Sequence, residues 1–506
     1  MMKKNKKDAA VDLYKELYNH MIDYKTREDA EKAAELTTKS SKMRPGLDIG
    51  SYAKKFADKF KAEFDKRFGK GGKDLKSLSL KDFIKRKQEV MDLIAAEVKG
   101  KKGMLHPPSK LAEYSKWMSD FNSNLQGNDE RDYHFLDQRI EQLFYIMNQV
   151  FLKNPVCSAR KLQLKTYQVI PMTTRVGLIE WMDNTIPLKD FIRSSLTDQE
   201  HKFLDSAQGP TTVYGDWIKK VSKNGDPLHE MYNNIFQKYS YTETVRNFTL
   251  LESKVPWDLL RRSFHKLSTS PEAFHVLRSH CMKTHAMLSI CQYILGIGDR
   301  HLSNFMVNLN TGEMIGIDFG HAFGSATQFL QIPELMPFRM TRQLRNLMMP
   351  LQVQGLVEST MIHVLRALRS DSDLLLNTMD IFVKEPSLDW KQNAEKQLQG
   401  LTQEDAGLYE QEDIMEWYPK EKIHYVKRKL RGANSAYITR DELKLGHVKK
   451  PAYKDFENVV LGHKDNERCR LPENGLTVEQ QVAVLLDQAT DPNILGRTWM
   501  GWEPWM

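Results

Sequence analysis

The sequence predicts an α+β fold, and three features predict it. Apolar residues recur at spacings of three and four through several long segments, which is the period of a helix. Two shorter segments, 161–171 and 176–182, alternate or run apolar as strands do (Leu162, Leu164, Tyr167, Val169; then Leu178-Ile179). Further on, Phe305 to Leu309 and Met314 to Asp318 read as two strands around the turn Asn310-Thr311-Gly312. At 506 residues the chain is too long for one core, and length alone suggests roughly three domains.

Composition narrows the class. An apolar fraction of 41% and a charged fraction of 28% are values of a globular protein, neither disordered nor membrane-embedded. The longest nearly uncharged apolar stretch, Ala286 to Gly298, is shorter than the ~20 residues that span a bilayer. The start, Met1-Met-Lys-Lys-Asn-Lys-Lys, lacks the apolar core of a signal peptide, so secretion is not expected. Cys157, Cys281, Cys291 and Cys469 are widely spaced with no CxxC pair, which argues against disulfides and a zinc site. The net charge of +8 is uneven: residues 1–110 carry 28 Lys+Arg against 17 Asp+Glu. That basic segment suits nucleic acid or an acidic partner, although a solvated helix face explains it more simply.

In chain order, residues 8–36 read as a helix with Val11, Tyr14, Leu17, Tyr18, Met21 and Ile22 on one face, and Pro45-Gly46 interrupts it. A second helix, 50–68, places Tyr52, Phe56, Phe60, Phe64 and Phe68 four apart, an aromatic stripe suited to core packing. Residues 137–152 predict a helix with Ile140, Leu143, Phe144 and Met147 inward. Ser270 before Pro271-Glu272 is a helix start, and that helix runs through Leu277 and Cys281 toward Leu295. From 386 to 474 the pattern weakens and becomes polar, as in a linker or regulatory region.

The chemistry lies in Gly296-Ile-Gly-Asp-Arg-His-Leu-Ser-Asn-Phe-Met-Val307 and Ile315-Gly-Ile-Asp-Phe-Gly-His321. Asp299 and Asn304 sit on a loop before the hairpin and Asp318 at its far end, which brings two carboxylates and one amide together. Phosphoryl transfer needs that set: a carboxylate for the incoming hydroxyl, and an Asn and an Asp to hold Mg²⁺ against the phosphates. Asp299 to Asn304 is five residues, as in the H-R-D-x-x-x-x-N loop of protein kinases, and Asp318-Phe319-Gly320 matches their D-F-G. Asp299 is therefore assigned as the catalytic carboxylate, His301 as its partner or a stabiliser of transition-state charge, and Asn304 and Asp318 as metal ligands. On the same match Asp318, Phe319 and Gly320 open the activation segment, which also holds Thr327.

GDRHxxN followed by IDFGHAFG resembles the phosphatidylinositol 3-kinase-related protein kinases. Phe329-Leu-Gln-Ile-Pro-Glu-Leu-Met-Pro-Phe-Arg339, Leu178-Ile-Glu-Trp181, Phe382-Val-Lys-Glu-Pro386 and the ending Asp491 to Met506 resemble a DNA-repair branch of that family. The resemblance implies a two-lobed, protein-kinase-like fold. A helical region (1–110) would precede a shortened small lobe with hinge (111–182). A large lobe (183–385), a linker (386–474) and a helical FATC segment (475–506), with a helix from Thr477 to Gln488, would follow. Trp181 and Met182 would meet adenine at the hinge, with Tyr167, Ile179, Met306 and Ile317 lining its pocket. ATP and Mg²⁺ are the implied cofactors. The implied partners are protein substrates modified at Ser/Thr before Gln, together with the Ku heterodimer and DNA ends, met mostly through regions upstream of this chain. The implied setting is the nucleus, in double-strand break repair by non-homologous end joining. Trp499, Trp502 and Trp505 are expected to dock on the large lobe rather than enter a membrane, since their segment lacks a basic face. Thr327-Gln328 has the form that the family phosphorylates, and phosphate on Thr327 would place charge near Asp318.

One departure is plain. No lysine stands between Lys116 and Lys153, and Gly127 alone interrupts the glycine-free run from Gly103 to Gly177. A strand lysine and a glycine-rich loop that cover the phosphates are therefore missing. Two readings stay open, a shortened form of an active kinase and a chain that has become a scaffold. A lipid kinase is disfavoured because Arg339 is the one permanent cation from His321 to Thr341.

Overall fold

The computed structural model describes residues 133–171, 177–223, 225–383 and 411–506. The helices expected over 8–36 and 50–68, and the 1–110 region as a whole, lie outside the described residues. So does the first part of the 111–182 segment.

Helix α1 (Tyr133–Lys153) buries Ile140, Leu143, Phe144 and Met147, the face its sequence predicts. The strand expected over 161–171 is much shorter. Only Val169–Pro171 (β1) pairs, antiparallel, with Gly177–Ile179 (β2), in the register Val169↔Ile179. Leu162 and Leu164 are buried in alternation, but among the described residues no strand pairs with their backbone. Instead, Asn148 of α1 accepts the Leu164 N–H at 2.8 Å and donates to the Leu164 carbonyl at 2.9 Å. Glu141 accepts the Tyr167 N–H at 3.2 Å. Helix side chains satisfy the groups a neighbouring strand would otherwise take.

Beyond 181–184 the chain enters a second, antiparallel sheet of order β3-β4-β5: Thr185–Pro187, Phe305–Asn308 and Met314–Gly316. Its register pairs Ile186 with Val307 and Met306 with Ile315. Helix α2 (Leu188–Arg193) follows β3, and shorter helices fill 198–267. Helix α3 (Pro271–Leu295) begins as expected, with the Ser270 hydroxyl accepting the Ala273 amide and Pro271 at the first helical position. From Thr284 to Leu295 every residue of α3 is buried. A helix apolar on all sides belongs in a core, and this one packs between β5 and helix α5 (Leu356–Ser370). No helix among the described residues is long and apolar enough to cross a membrane.

Helix α4 (Ser325–Phe329) lies in the activation segment, and α6 (Ser372–Val383) packs on α1. The stretch expected as a linker is helical from 411 onward: α7 (Gln411–Leu430), α8 (Ser435–His447) and α9 (Tyr453–Leu461). Ile438, Leu443, Phe456 and Val460 are buried there. Its polar pattern misleads because charged side chains pair inside rather than face solvent. The buried Arg468 donates to the Val460 carbonyl and to Asp487, each at 2.7 Å, and to Asp491. Helix α10 (Val478–Thr490) starts at Thr477 with a capping box to Gln480, as the resemblance implies. Cys157, Cys281 and Cys291 are buried, Cys469 is exposed, and none forms a disulfide.

Candidate active site

The site is built where α3 ends. Gly296 closes the helix at φ 61°, and a Cβ there would come within 2.6 Å of the Gly324 backbone nitrogen. Only glycine lets the catalytic loop and the activation segment approach so closely. Backbone bonds then join the two segments: Gly298 N–H to His321 O and Gly324 N–H to Gly296 O at 2.8 Å each, and Ile317 N–H to Asn304 O at 3.1 Å.

Asp299 and Asp318 share an unusual feature, a left-handed backbone at φ 57° in both. Non-glycine residues adopt that conformation at a cost, and the surrounding bonds must hold it. Arg300, buried between the two, supplies several. Its guanidinium donates to the carbonyls of Gly298 and Ile317 at 2.8 Å each, and to that of Asp318. It also lies 5.5 Å over the Phe319 ring. Sequence alone does not single out Arg300, because an arginine within a polar loop reads as a spacer.

The start of the activation segment divides residue by residue. Asp318 is exposed, Phe319 fully buried and Gly320 half-buried at a bend. The Gly320 N–H turns back toward Asp318 Oδ1 at 3.4 Å, a long bond that still leaves the other carboxylate oxygen open. The left-handed position of this turn falls on Asp318 and not on Gly320, although glycine would take it at less cost.

Asn304 is buried, and its Nδ2 donates to the Asp299 carbonyl at 2.8 Å. With the amide nitrogen committed, its oxygen is the atom left for a cation, and Asp318 adds a carboxylate. One amide oxygen and one carboxylate are hard donors that suit Mg²⁺, which takes one or two protein carboxylates and completes its shell with water and phosphate. Among the described residues no group of three or more His, Cys, Asp or Glu is placed to hold a metal ion by itself. His301 accepts the Ser303 N–H at Nδ1 (3.2 Å), so its ring proton sits on Nε2. Burial holds its pKa below the usual value, and the charge of Asp299 partly offsets this.

A second residue that spacing does not reveal is Asp137 on α1, whose Oδ1 accepts the Phe319 N–H at 2.7 Å. Burial pushes this carboxyl up to about 7, and the nearby Asp318 charge adds to the shift. One turn along α1, Glu141 is pushed by burial to about 9. Tyr167 is buried beside both carboxylates, and burial first, then their charges, raises its pKa. Neither Asp137 nor Glu141 stands out in the sequence, because both read as polar positions of an amphipathic helix.

The other expected adenine-site residues divide. Met306 and Ile317 stand partly buried at the hairpin, packed against the core. Met182 is half-buried and Ile179 exposed, while Trp181 is 83% exposed. Thr327 is nine-tenths buried, and its hydroxyl donates to the Glu334 carbonyl at 2.8 Å. Helix α8 covers it, with His447 Nε2 at 2.8 Å from the Thr327 carbonyl. In this conformation that hydroxyl is enclosed by α8 and the Glu334 carbonyl. The tail docks as expected: Trp502 and Trp505 are buried, and Trp499 remains 40% exposed.

The phosphatidylinositol 3- and 4-kinase family model matches residues 129–392, and the FATC domain model matches residues 475–506. The DNA-dependent protein kinase catalytic subunit of Gallus gallus is 47% identical over 91% of this chain. That of Dictyostelium discoideum is 35% identical over the same share. The chain spans 12% of the length of each of these curated relatives. A solved structure, the FAT and kinase domain of CtTel1, aligns at 21% identity and a TM-score of 0.48, over 74% of this chain and 21% of that one. The Gallus gallus alignment covers 521 positions, whereas 91% of 506 residues is about 460, so about 60 positions have no counterpart here. The chain belongs to the phosphatidylinositol 3- and 4-kinase family and joins a kinase domain of that family to a carboxy-terminal FATC domain.

Proposed function

We propose that this chain is the kinase portion of a serine/threonine protein kinase of the DNA-dependent protein kinase type, using Mg²⁺-ATP. The observation that carries the reading is the convergence of Asp299, Asn304 and Asp318 around one buried arginine, Arg300, which bonds to both loops. In this reading Asn304 and Asp318 hold Mg²⁺, which neutralises phosphate charge. The Asp299 carboxylate orients and accepts the proton of the substrate hydroxyl. His301, neutral with its proton on Nε2, donates to the transferring phosphoryl oxygens as charge develops there. Trp181, Met182, Tyr167, Ile179, Met306 and Ile317 receive adenine. The exposure of Trp181 and Ile179 fits a pocket whose upper wall is the missing small-lobe segment.

A protein substrate is favoured over a phosphoinositide. Arg339, the single permanent cation of the activation segment, is fully buried and turned to the tail, so it is not offered to an anionic head group. The relatives' name supports a protein kinase whose action depends on DNA. A preference for Ser/Thr followed by Gln, a nuclear setting, action in end joining, and partnership with the Ku heterodimer and DNA ends through regions beyond this chain rest on the sequence resemblance alone.

A second reading has its own observation. The strand lysine is missing and about 60 positions of the relative have no counterpart, so the chain is also suited to be an impaired kinase or scaffold. Calorimetry of Mg²⁺-ATP binding, with Asp318→Asn as control, separates the two. Binding that the control abolishes, followed by phosphorylation of a Ser-Gln peptide but not its Ser-Ala counterpart, supports the kinase. Absence of binding supports the scaffold.

A further inference from the structure

Glu334 stands in the activation segment, and its two carboxylate oxygens are committed to distant parts of the chain. Oε2 accepts the backbone amide of Asp299, 35 residues earlier. Oε1 accepts the indole N–H of Trp502 at 2.8 Å, 168 residues later. A Cβ on Gly298 would sit 2.6 Å from Oε2, so the bare backbone there makes room for this carboxylate.

Arg339 closes the same junction from the other side. Its guanidinium lies 4.2 Å over the Trp502 ring. It donates to the carbonyls of Trp502 (2.7 Å), Glu503 (2.8 Å), Met506 (3.1 Å) and Arg300 (3.4 Å). Lys189 pairs with Glu503 at 2.9 Å. A buried carboxyl group, which burial pushes up to about 7, and a buried guanidinium thus join the last five residues of the chain to the catalytic loop. Such groups are tolerated inside a protein when paired and hydrogen-bonded, and here both terminal nitrogens of Arg339 are bonded while its Nε is not.

The chemistry of the junction is specific. Asp299 N–H and Trp502 Nε1–H are both donors, so the group between them must offer an acceptor on each side, and a carboxylate does so. The residue it holds needs holding, since Asp299 has a left-handed backbone without being glycine. We propose that Glu334 is a positioning residue through which the seated carboxy-terminal tail fixes the backbone of Asp299. Removing the Trp502 donor frees the Glu334 carboxylate, which loosens the Asp299 amide and with it the direction of the Asp299 side chain. The importance of this for catalysis rests on Asp299 being the catalytic carboxylate; the linkage itself does not.

Amide hydrogen exchange of the full 506-residue chain tests the linkage without requiring turnover. Trp502→Phe keeps a smaller aromatic ring under Arg339 and removes the indole donor. It should speed exchange at the Asp299 amide, within 296–304, about fivefold or more, as expected for losing a hydrogen bond. Glu334→Leu should do the same while α10 stays protected. The double variant should exchange no faster than Glu334→Leu alone, because both act through one path. Unchanged exchange over 296–304 in Trp502→Phe, or additive effects in the double variant, overturns the proposal. If Trp502→Phe releases the whole tail, seen as lost protection in α10, Glu334→Leu decides: slow exchange at Asp299 overturns the proposal and fast exchange upholds it. Failure of the kinase reading would show separately, as absent Mg²⁺-ATP binding.

Discussion

Asp137 on α1 accepts the backbone amide of Phe319 at 2.7 Å across 182 residues of sequence. The Phe144 and Phe319 rings meet edge to face at 5.4 Å beside this bond. Helix α1 therefore grips the turn that presents Asp318 through one polar and one aromatic contact. Asp137→Ala leaves a buried amide without an acceptor, at a cost of about 1–3 kcal/mol. It should lower the melting temperature and weaken Mg²⁺-ATP binding about tenfold. Asp137→Asn keeps an acceptor oxygen and should lose markedly less in the same calorimetric titration. Equal losses in the two variants would count against the bond as the cause.

Glu141 gives a pH dependence whose sign follows from its burial. Its carboxyl titrates near 9 in the folded chain and near 4.5 when unfolded. The folded state keeps a proton that the unfolded chain releases, so this group's contribution is full below about 4.5 and is lost as pH rises to about 9. Glu141→Gln removes the titration, and its amide oxygen can still accept the Tyr167 N–H. The variant should melt above the parent at pH 8–9 and lose that advantage at pH 5. Calorimetric melts at both values check this, and a gap that does not change with pH would count against Glu141 as the cause.

The tail is a folded part of the large lobe. Trp505 is buried and stands 5.2 Å from the Tyr214 ring, and the Tyr214 hydroxyl donates to the carbonyls of Thr498 (2.6 Å) and Gly496 (3.1 Å). Trp505→Ala opens a cavity worth about 3–5 kcal/mol. It should lower the melting temperature and hasten proteolytic cleavage after residue 490. A parent chain that sediments with neutral lipid vesicles would contradict docking.

Thr327 offers a check on access. Its buried hydroxyl bonds to the Glu334 carbonyl, and Thr327→Asp would set a carboxylate against that oxygen. Thr327→Asp should destabilise the fold, whereas Thr327→Ser should melt close to the parent. Stability of Thr327→Asp equal to the parent would show that the segment opens readily.

Local chemistry made much of this protein legible. Ser270-Pro271-Glu272 predicts the start of α3, and the period of Ile140, Leu143, Phe144 and Met147 the inward face of α1, while the start of α10 at Thr477 follows from the resemblance. The short span from Asp299 to Asp318 brings the polar set together because one hairpin suffices to fold it. These features depend on contacts within a few residues, and sequence carries such information directly.

What the tertiary structure decided lies in pairs far apart in sequence. Leu162 to Tyr167 alternates like a strand, yet Asn148 and Glu141 take its backbone groups, and nothing in that segment announces the substitution. The segment from 411 to 474 looks like a linker because it is polar and charged, and only in three dimensions is its Arg468 paired in the interior, with Asp487 and Asp491 of the FATC segment. Asp137 at Phe319 and Glu334 between Asp299 and Trp502 read as ordinary polar residues until folding removes the water around them. Burial then obliges each carboxylate to find a donor, and which donor it finds is set by how the helices pack.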